Sequence, residues 1–223
     1  MNRFLRISIS RCDATLDGIA GLARGSSLDN NPDKGFEIES VTRKMLVLTW
    51  AEKIVVERTI DSGVFSGTSF KEVRIVTFGF IINSKADTAI VLDPPLGKER
   101  LHKVLRLLFP TGNFRFHELS IRETLEDLSA RGIARITAIE TLPVSLESKV
   151  VMSLKVAGDG DLLGYINENH PTRTGDYRAA SMVIFTPEGR TIDLSLVRTG
   201  LIRTSRNLNA EEVERIIALL KFR

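Results

Sequence analysis

The pattern of apolar and polar positions divides the chain into stretches typical of β-strands and of amphipathic helices. Apolar-polar alternation, or a run rich in β-branched residues, predicts strands near 4–11, 36–50, 52–60, 72–83, 87–93, 114–117, 134–142, 149–157, 182–187, 190–197 and 201–207. Apolar residues at helical spacing predict helices over 13–24, 96–109, 120–131 and 210–220. The segment 158–179 is polar and is predicted to be a long loop. The balance of elements indicates an α+β fold.

The two halves of the chain carry the same order of elements: a helix, four or five strands, and a second helix. The apolar stripe that begins at Leu101 recurs at Val213, a displacement of 112 positions (213 − 101). Both opening helices end in Ala-Arg-Gly, at residues 23–25 and 130–132. We therefore predict an internal duplication, with a first repeat over 1–111 and a second over 112–223.

The end of the second repeat shows how such a unit is built. Ile192, Leu194 and Leu196 alternate with polar residues, so one face of the strand is apolar and the other is polar and more exposed to solvent. Asn209, followed three residues later by Glu212, is a good helix N-cap. An antiparallel sheet that holds a helix on one face, and leaves the other face free, is the expected result.

In its order of elements, residues 182–220 resemble the end of a repeat of the TATA-box-binding protein family. The matching features are a strand ending in proline (MVIFTP), a strand (RTIDLSLV), an RTG turn, a strand (LIRTSRN) and a helix opening with small and acidic residues. The resemblance implies two pseudo-symmetric helix-grip repeats joined into one curved, saddle-like sheet, with helices on one face and DNA on the concave face. The same unit occurs in DNA glycosylases and in the substrate-binding domain of one bacterial ribonuclease H class.

Two departures bear on what the resemblance implies. The family wedges DNA open with phenylalanines on the concave face, whereas the matching strand end here is Leu196-Val197-Arg198. Phe78 and Phe80 alternate in step with the apolar residues Val76 and Ile82, so they are predicted to be core. The second departure is the long insertion at about 158–179, which is foreign to a minimal saddle. A factor that kinks DNA is therefore not expected.

Composition and charge set outer limits on the function. The 223 residues are 43% apolar and 26% charged, which is typical of a globular protein. A net charge of +3 permits an anionic partner without requiring one. Cys12 is the only cysteine, and the sequence shows neither a signal peptide nor an apolar run of membrane-spanning length. The chain is therefore interpreted as cytoplasmic and free of a membrane anchor. An oligomer remains possible.

Arginines in the last part of the chain are the strongest candidates for a binding site. If Ile202 faces the helices, Arg203 faces the open side of the sheet beside Ser195. Arginines on such a face could hold phosphates or enter a minor groove, and DNA is favoured over RNA. The candidate nucleic-acid-binding residues are Arg135, Lys155, Arg190, Ser195, Arg198, Arg203 and Arg206, with Lys44, Arg58 and Arg74 as weaker ones. The alternative is a solvated face whose arginines cover apolar surface.

Two other functions are consistent with the sequence. An interaction or regulatory subunit would use the apolar strand faces around Val47, Val55 and Ile81 to dock a protein partner or to dimerise. A metal-dependent nuclease would use the Glu-x-Lys of Glu147 and Lys149, with Glu140 as a further acid.

Further candidates for chemistry are weak. The segment from Asp159 to His170 matches an EF-hand loop in part, but Leu163 and His170 stand where two ligands are needed. The three histidines lack a recognisable catalytic setting, and no phosphate-binding glycine motif occurs. We therefore expect a non-catalytic protein with no metal and no cofactor.

Overall fold

The computed structural model describes residues 2–10, 14–59, 67, 69–95, 97–147, 150–170 and 176–223. This part of the chain is α+β, and eleven strands join one large antiparallel sheet that does not close. The strands are β1 (Asn2–Ser10), β2 (Lys34–Val41), β3 (Met45–Thr59), β4 (Ser69–Asn83), β5 (Thr88–Leu92), β6 (Asn113–Phe116), β7 (Ala134–Thr141), β8 (Val144–Glu147), β9 (Val150–Met152), β10 (Lys155–Ala157), β11 (Tyr177–Phe185), β12 (Thr191–Val197) and β13 (Ile202–Thr204). The helices are α1 (Leu16–Gly25), α2 (Lys98–Leu108), α3 (Ile121–Ala130), α4 (Leu162–Asn169) and α5 (Ala210–Leu219). Strands β8 and β9 form a separate hairpin, and no described helix has the length and hydropathy to cross a membrane.

The chain forms two compact units. Unit 1 contains the residues up to Arg6 and Phe116–Arg223, and unit 2 contains Ile7–Arg115. Strand β1 contributes its first residues to unit 1 and its last ones to unit 2.

In unit 2 the strand order is β1-β5-β4-β3-β2, so strands β2 to β5 run up and down in sequence order. Helices α1 and α2 bury the apolar stripes that the sequence predicts, which in α2 are Leu101, Val104, Leu105 and Leu108. Phe36, Trp50, Phe78 and Phe80 form an aromatic cluster, in which Phe36 and Trp50 lie edge to face with centroids 4.8 Å apart. Much of the core of this unit therefore lies between the helices and the face that carries these rings. Val47 and Ile81, on the other face, are buried as well.

The strands predicted at 36–50 and 52–60 are divided differently in the structure. Strand β2 ends at Val41, a turn follows, and β3 runs without a break from Met45 to Thr59. The Thr42 hydroxyl accepts hydrogen bonds from the backbone N–H of Lys44 (3.2 Å) and of Met45 (3.0 Å). A threonine can satisfy a turn in this way without glycine or proline, so the sequence carries no strong turn signal at this point.

In unit 1 the strand order is β10-β7-β11-β12-β13-β1. Ile192, Leu194 and Leu196 of β12 are all buried, which confirms the predicted apolar face. We call the side of the sheet that carries them the buried face of unit 1. Ile184 and Ile192 line the same cavity as Ile216 of α5, so this helix lies on the buried face.

Helix α5 begins with the predicted capping box. The Glu212 N–H donates to the Asn209 side chain at 2.9 Å, and the Asn209 N–H donates to the Glu212 carboxylate at 3.0 Å. Replacing Asn209 by alanine should lower the free energy of unfolding by about 1 kcal/mol, because it leaves the Glu212 N–H without its acceptor. Urea denaturation followed by circular dichroism measures this. Asn209→Ser, which keeps an acceptor, should recover most of the loss.

The predicted loop at 158–179 is wrong in part, because residues 162–169 form helix α4 and β11 begins at Tyr177. Asp161 is the N-cap of α4 and accepts from the Gly164 N–H at 3.0 Å. Leu162, Leu163 and Ile166 are buried. The predicted strand 149–157 is likewise two short strands, β9 and β10. The segment 158–179 was predicted to be a loop because glycine, aspartate and asparagine, which favour turns, surround the short apolar stripe of α4.

Candidate nucleic-acid interface

The face of unit 1 opposite the buried face carries a row of side chains in register. Ser195 of β12 lies opposite Arg203 of β13 on one side and Ser181 of β11 on the other. The row continues to Arg3 of β1 beyond Arg203, and to Ala138 of β7 beyond Ser181. Because cross-strand partners share a face, the five side chains form one line across five strands. We call this side the open face.

The end of this row holds two arginines side by side. Arg3 and Arg203 are direct cross-strand partners; Arg203 is exposed and Arg3 is half-buried. An anion bound on this side of the sheet would accept charge-assisted hydrogen bonds from both guanidinium groups.

The rest of the open face is mostly positive. The middle of its floor has small side chains, Ser181, Ser195 and Ala138, and the larger Val183, Val197 and Phe185 flank them on the same face. In the paired strands of the described chain, its basic residues are Arg3, Arg135, Lys155 and Arg203, and its acidic residues are Asp193 and Glu140. Glu140 forms an ion pair with Arg178 at 3.1 Å, and Asp193 accepts from the Ser205 hydroxyl at 3.1 Å. Both acids therefore have partners of their own, and the face favours an anionic ligand.

The structure thus places Arg203 beside Ser195, as the alternation of the sequence predicts, and brings Arg135 and Lys155 to the same face. Sequence reasoning missed Arg3. Its alternation with Phe4 indicates that it points away from the core, but nothing local indicates that β1 pairs with β13, about 200 residues away.

Arg190, Arg198 and Arg206 do not join this row. Arg198 lies in the turn after β12, with its Nε 3.4 Å from a Glu118 carboxylate oxygen. Arg190 lies in the turn between β11 and β12. Arg206 lies three residues after Arg203 and so has the opposite orientation: its Nη2 is 3.6 Å from Glu212, and its Nε and Nη2 are shielded from solvent. It lines an approximately 260 Å³ cavity with Ile192 and Ile216, so grouping Arg206 with the open face is wrong.

The basic candidates of unit 2 lie on different surfaces. Lys44 is in the turn between β2 and β3, while Arg58 and Arg74 both contact Glu72. Arg74 donates two hydrogen bonds of 2.9 Å to the Glu72 carboxylate, and these lower the pKa of Glu72. A phosphate at Arg58 or Arg74 would have to compete with this carboxylate, so these residues are weaker candidates than Arg203.

The apolar faces expected to dock a partner are mostly buried. Val47 and Ile81 are only 5% and 1% exposed, so these two predictions are wrong, whereas Val55 is 63% exposed. Phe78 and Phe80 are 2% and 0% exposed, which confirms that they are core residues and leaves them unable to wedge base steps apart.

The residues proposed for metal chemistry either have other partners or lie outside the residues that the structure describes. Lys149 is outside the described residues, as are the surroundings of the Glu147 side chain. Glu140 forms its ion pair with Arg178. Asp161, in the partial EF-hand match, is the N-cap of α4. Within the described ranges, no group of three or more histidine, cysteine, aspartate or glutamate residues could hold a metal ion.

A cleft in unit 2 is a separate feature, with a volume of about 880 Å³. Its charged lining is mixed, with Lys34, Arg100 and Lys103 against Glu52 and Glu99. Arg100 already pairs with Glu52 at 3.5 Å. This lining shows little preference for the charge of a ligand, in contrast with the open face of unit 1.

No known protein family and no curated protein sequence matches this chain. Its function must therefore be inferred from its own residues. Of the surfaces described above, the open face of unit 1 combines adjacent arginines with a floor of small side chains, and it is the surface best suited to a specific class of ligand.

Proposed function

We propose that this protein is a non-catalytic nucleic-acid-binding module, and that the open face of unit 1 holds the sugar-phosphate backbone. The observation that carries the proposal is the direct pairing of Arg3 with Arg203 beside Ser195. A phosphate placed there would receive charge-assisted hydrogen bonds from two guanidinium groups. Lys155 and Arg135 extend the positive charge to the far strands of the same face.

Duplex DNA is the nucleic acid that this face fits best. Ser181, Ser195 and Ala138 leave room for a backbone along the row itself, while Val183 and the exposed Phe185 flank the row on the same face. Arg3 and Arg203 can enter a narrow minor groove, where the negative potential is strongest. Phosphate contacts fix position and carry no direct sequence information, so the sequence preference is modest. We also propose that the protein acts in the cytoplasm, since a lone cysteine suits a reducing compartment.

The order of elements supports a duplicated helix-grip fold. In unit 2, α1 is followed by the meander β2-β3-β4-β5 and by α2; in unit 1, α3 is followed by the meander β7-β11-β12-β13 and by α5. Strands β8, β9 and β10 and helix α4 are inserted between β7 and β11. We propose that residues 1–111 and 112–223 are two copies of one repeat. They would form a curved, saddle-like sheet with helices on one face, as the resemblance to the TATA-box-binding protein implies.

Charge reversal of Arg203 tests the proposed interface. Arg203→Glu should weaken binding to a labelled 20-base-pair duplex by at least about tenfold, because it places a carboxylate beside the phosphate. Fluorescence anisotropy between 50 and 200 mM salt measures the affinity and its salt dependence. Loss of one phosphate contact should reduce the slope of log affinity against log salt by about 0.9.

Arg215→Glu is the matched control, because Arg215 is an exposed arginine on α5 of the same unit and pairs with Glu188 at 3.3 Å. It makes the same change in net charge, and the affinity should stay within about twofold of the original. Equal losses in the two variants would show that only net charge matters, and would contradict the assignment of the open face. Absence of binding at 50 mM salt would contradict nucleic-acid binding itself.

A further inference from the structure

One large aromatic side chain stands on the open face of unit 1. Phe185 is the last residue of β11 and follows Ser181 and Val183 at alternate positions, so the three side chains share this face. Phe185 is 46% exposed. Among the large apolar side chains in the described part of unit 1, only Tyr165 of α4 is similarly exposed. The ring of Phe185 is therefore accessible to a ligand bound on the open face.

No other ring or cation of the described residues covers the Phe185 ring. Phe222 of the same unit has the Arg6 guanidinium 5.0 Å from its ring centroid, whereas no such contact occurs at Phe185 within the described chain. The cross-strand partner of Phe185 on β12 is Thr191, a small residue. Because about half of the Phe185 side chain is buried, its position is restricted, and a ligand that stacks on it loses little conformational entropy.

A positive charge lies next to this ring. Arg135 of β7 is the cross-strand partner of Val183, so it is a diagonal neighbour of Phe185, at a distance that long side chains can span. Arg135 is exposed and has no ion pair with a described residue. On the other side of Val183, Asp193 accepts its hydrogen bond from Ser205. A ring beside an unpaired guanidinium suits an unpaired nucleotide, whose base stacks on the ring while its phosphate binds the cation.

The Phe185 ring lies away from the arginines that are proposed to hold the duplex. From Arg203 to Phe185 the face extends two strands across and four residues along, about 10 Å by 13 Å, or about 16 Å in all. At about 3.4 Å per base pair, a duplex covers this distance in about five base pairs. Paired bases stack on one another and offer no free face to a ring at the side of the duplex, whereas an unpaired base beyond its end does.

We propose that Phe185 stacks on an unpaired base next to the duplex on the open face, and that the preferred ligand is DNA in which a duplex passes into a single strand. Arg135 binds the phosphate beside that base. The ring stacks on a base that is already free and does not separate paired ones, so the duplex need not be kinked. This inference rests on the proposed function and adds the class of DNA that the same face prefers.

A comparison of two ligands by fluorescence anisotropy tests the proposal. One is a blunt duplex of about 20 base pairs, and the other is the same duplex extended by about four unpaired adenines, at the 3′ end in one version and at the 5′ end in a second. At least one extended duplex should bind at least about fivefold more tightly than the blunt one. Phe185→Ala should bring the ratio of the two affinities close to one. Replacing the first unpaired adenine by 2-aminopurine reports stacking directly, since the fluorescence of this base changes when it stacks.

Three variants separate stacking from other causes. Phe185→Leu keeps an apolar side chain without a ring and should lose the preference, whereas Phe185→Tyr keeps the ring and should retain it. Tyr165→Ala is the matched control, because it removes the other exposed aromatic residue of the unit, on α4. It should leave the ratio unchanged, and thermal melting checks that all variants are folded.

The outcomes also separate this inference from the proposed function. Equal affinity for blunt and extended duplexes, or an equal loss of preference in Phe185→Ala and Tyr165→Ala, would overturn the stacking site. Nucleic-acid binding through the open face would still stand if Arg203→Glu weakened the binding of the blunt duplex. If neither ligand binds at about 50 mM salt, both proposals are wrong.

Discussion

Replacing Gly200 by alanine is expected to lower the free energy of unfolding by at least about 3 kcal/mol. Gly200 lies in the turn between β12 and β13 with φ +90°, a conformation that side chains with a Cβ atom rarely adopt. An added Cβ would also collide with the backbone carbonyl oxygen of His117. The chain on both sides of this carbonyl is held in place, because the His117 N–H donates to the Arg6 carbonyl at 3.3 Å and the Leu119 N–H donates to the Arg198 carbonyl at 2.9 Å. Urea denaturation followed by circular dichroism measures the loss.

Gly189→Ala separates the two causes of this loss. Gly189 lies in the preceding turn of the same unit with φ +73°, and no atom lies within 4 Å of an added Cβ. This substitution should lower the free energy of unfolding by only about 1 kcal/mol, because it introduces conformational strain without a collision. Equal losses in the two variants would show that the contact with His117 contributes nothing. The Gly200 turn also returns the chain into β13 and so brings Arg203, a residue of the proposed interface, opposite Ser195.

The elements that the sequence predicts well are those whose signals are local. Strand β12 alternates strictly, and α5 has both a capping box and an apolar stripe within a dozen residues. Each of these patterns has one physical cause, burial of one face or satisfaction of the first helical N–H groups. Such features do not depend on which other elements pack nearby.

The features that sequence reasoning missed depend on distant partners or on weak signals. Arg3 and Arg203 become neighbours only when β1 pairs with β13, which no local pattern specifies. Val47 and Ile81 were expected to be available, yet both are buried. The unbroken apolar run Met45–Leu48 is itself the sign that a strand is buried on both faces, and it could have corrected this expectation.

The far ends of β3 and β4, residues 53–59 and 69–75, show a different limit. Val55, Val73 and Ile75 have the same β-branched character as the strand residues of the core, so composition alone cannot distinguish them. What distinguishes them is the length of the neighbouring strands: the pairings with β2 and β5 end before these residues begin. Strand ends are among the least certain features of a sequence-based prediction, and here they decide which apolar residues are exposed.

Replacing Phe80 by alanine is expected to lower the free energy of unfolding of unit 2 by about 3–5 kcal/mol. Phe80 is fully buried, and its ring contacts Phe78 at a centroid distance of 5.5 Å and Phe36 at 6.4 Å. Removing the ring leaves a cavity in the aromatic cluster on this face of the sheet and also removes these aromatic contacts. Trp50, the single tryptophan, packs against Phe36, so its fluorescence during urea denaturation reports on this cluster.

Phe70→Ala is the matched control for this prediction, because Phe70 lies on the same strand and is 47% exposed. This substitution should lower the free energy of unfolding by less than about 1 kcal/mol, since a half-exposed ring buries little apolar surface on folding. The comparison also bears on function. If Phe80 were a wedge for DNA rather than a core residue, alanine would leave stability unchanged and weaken binding to the duplex. Because its ring is fully buried, the reverse is expected: stability falls, while the affinity of the folded protein for DNA, which we propose Arg203 of unit 1 carries, does not change.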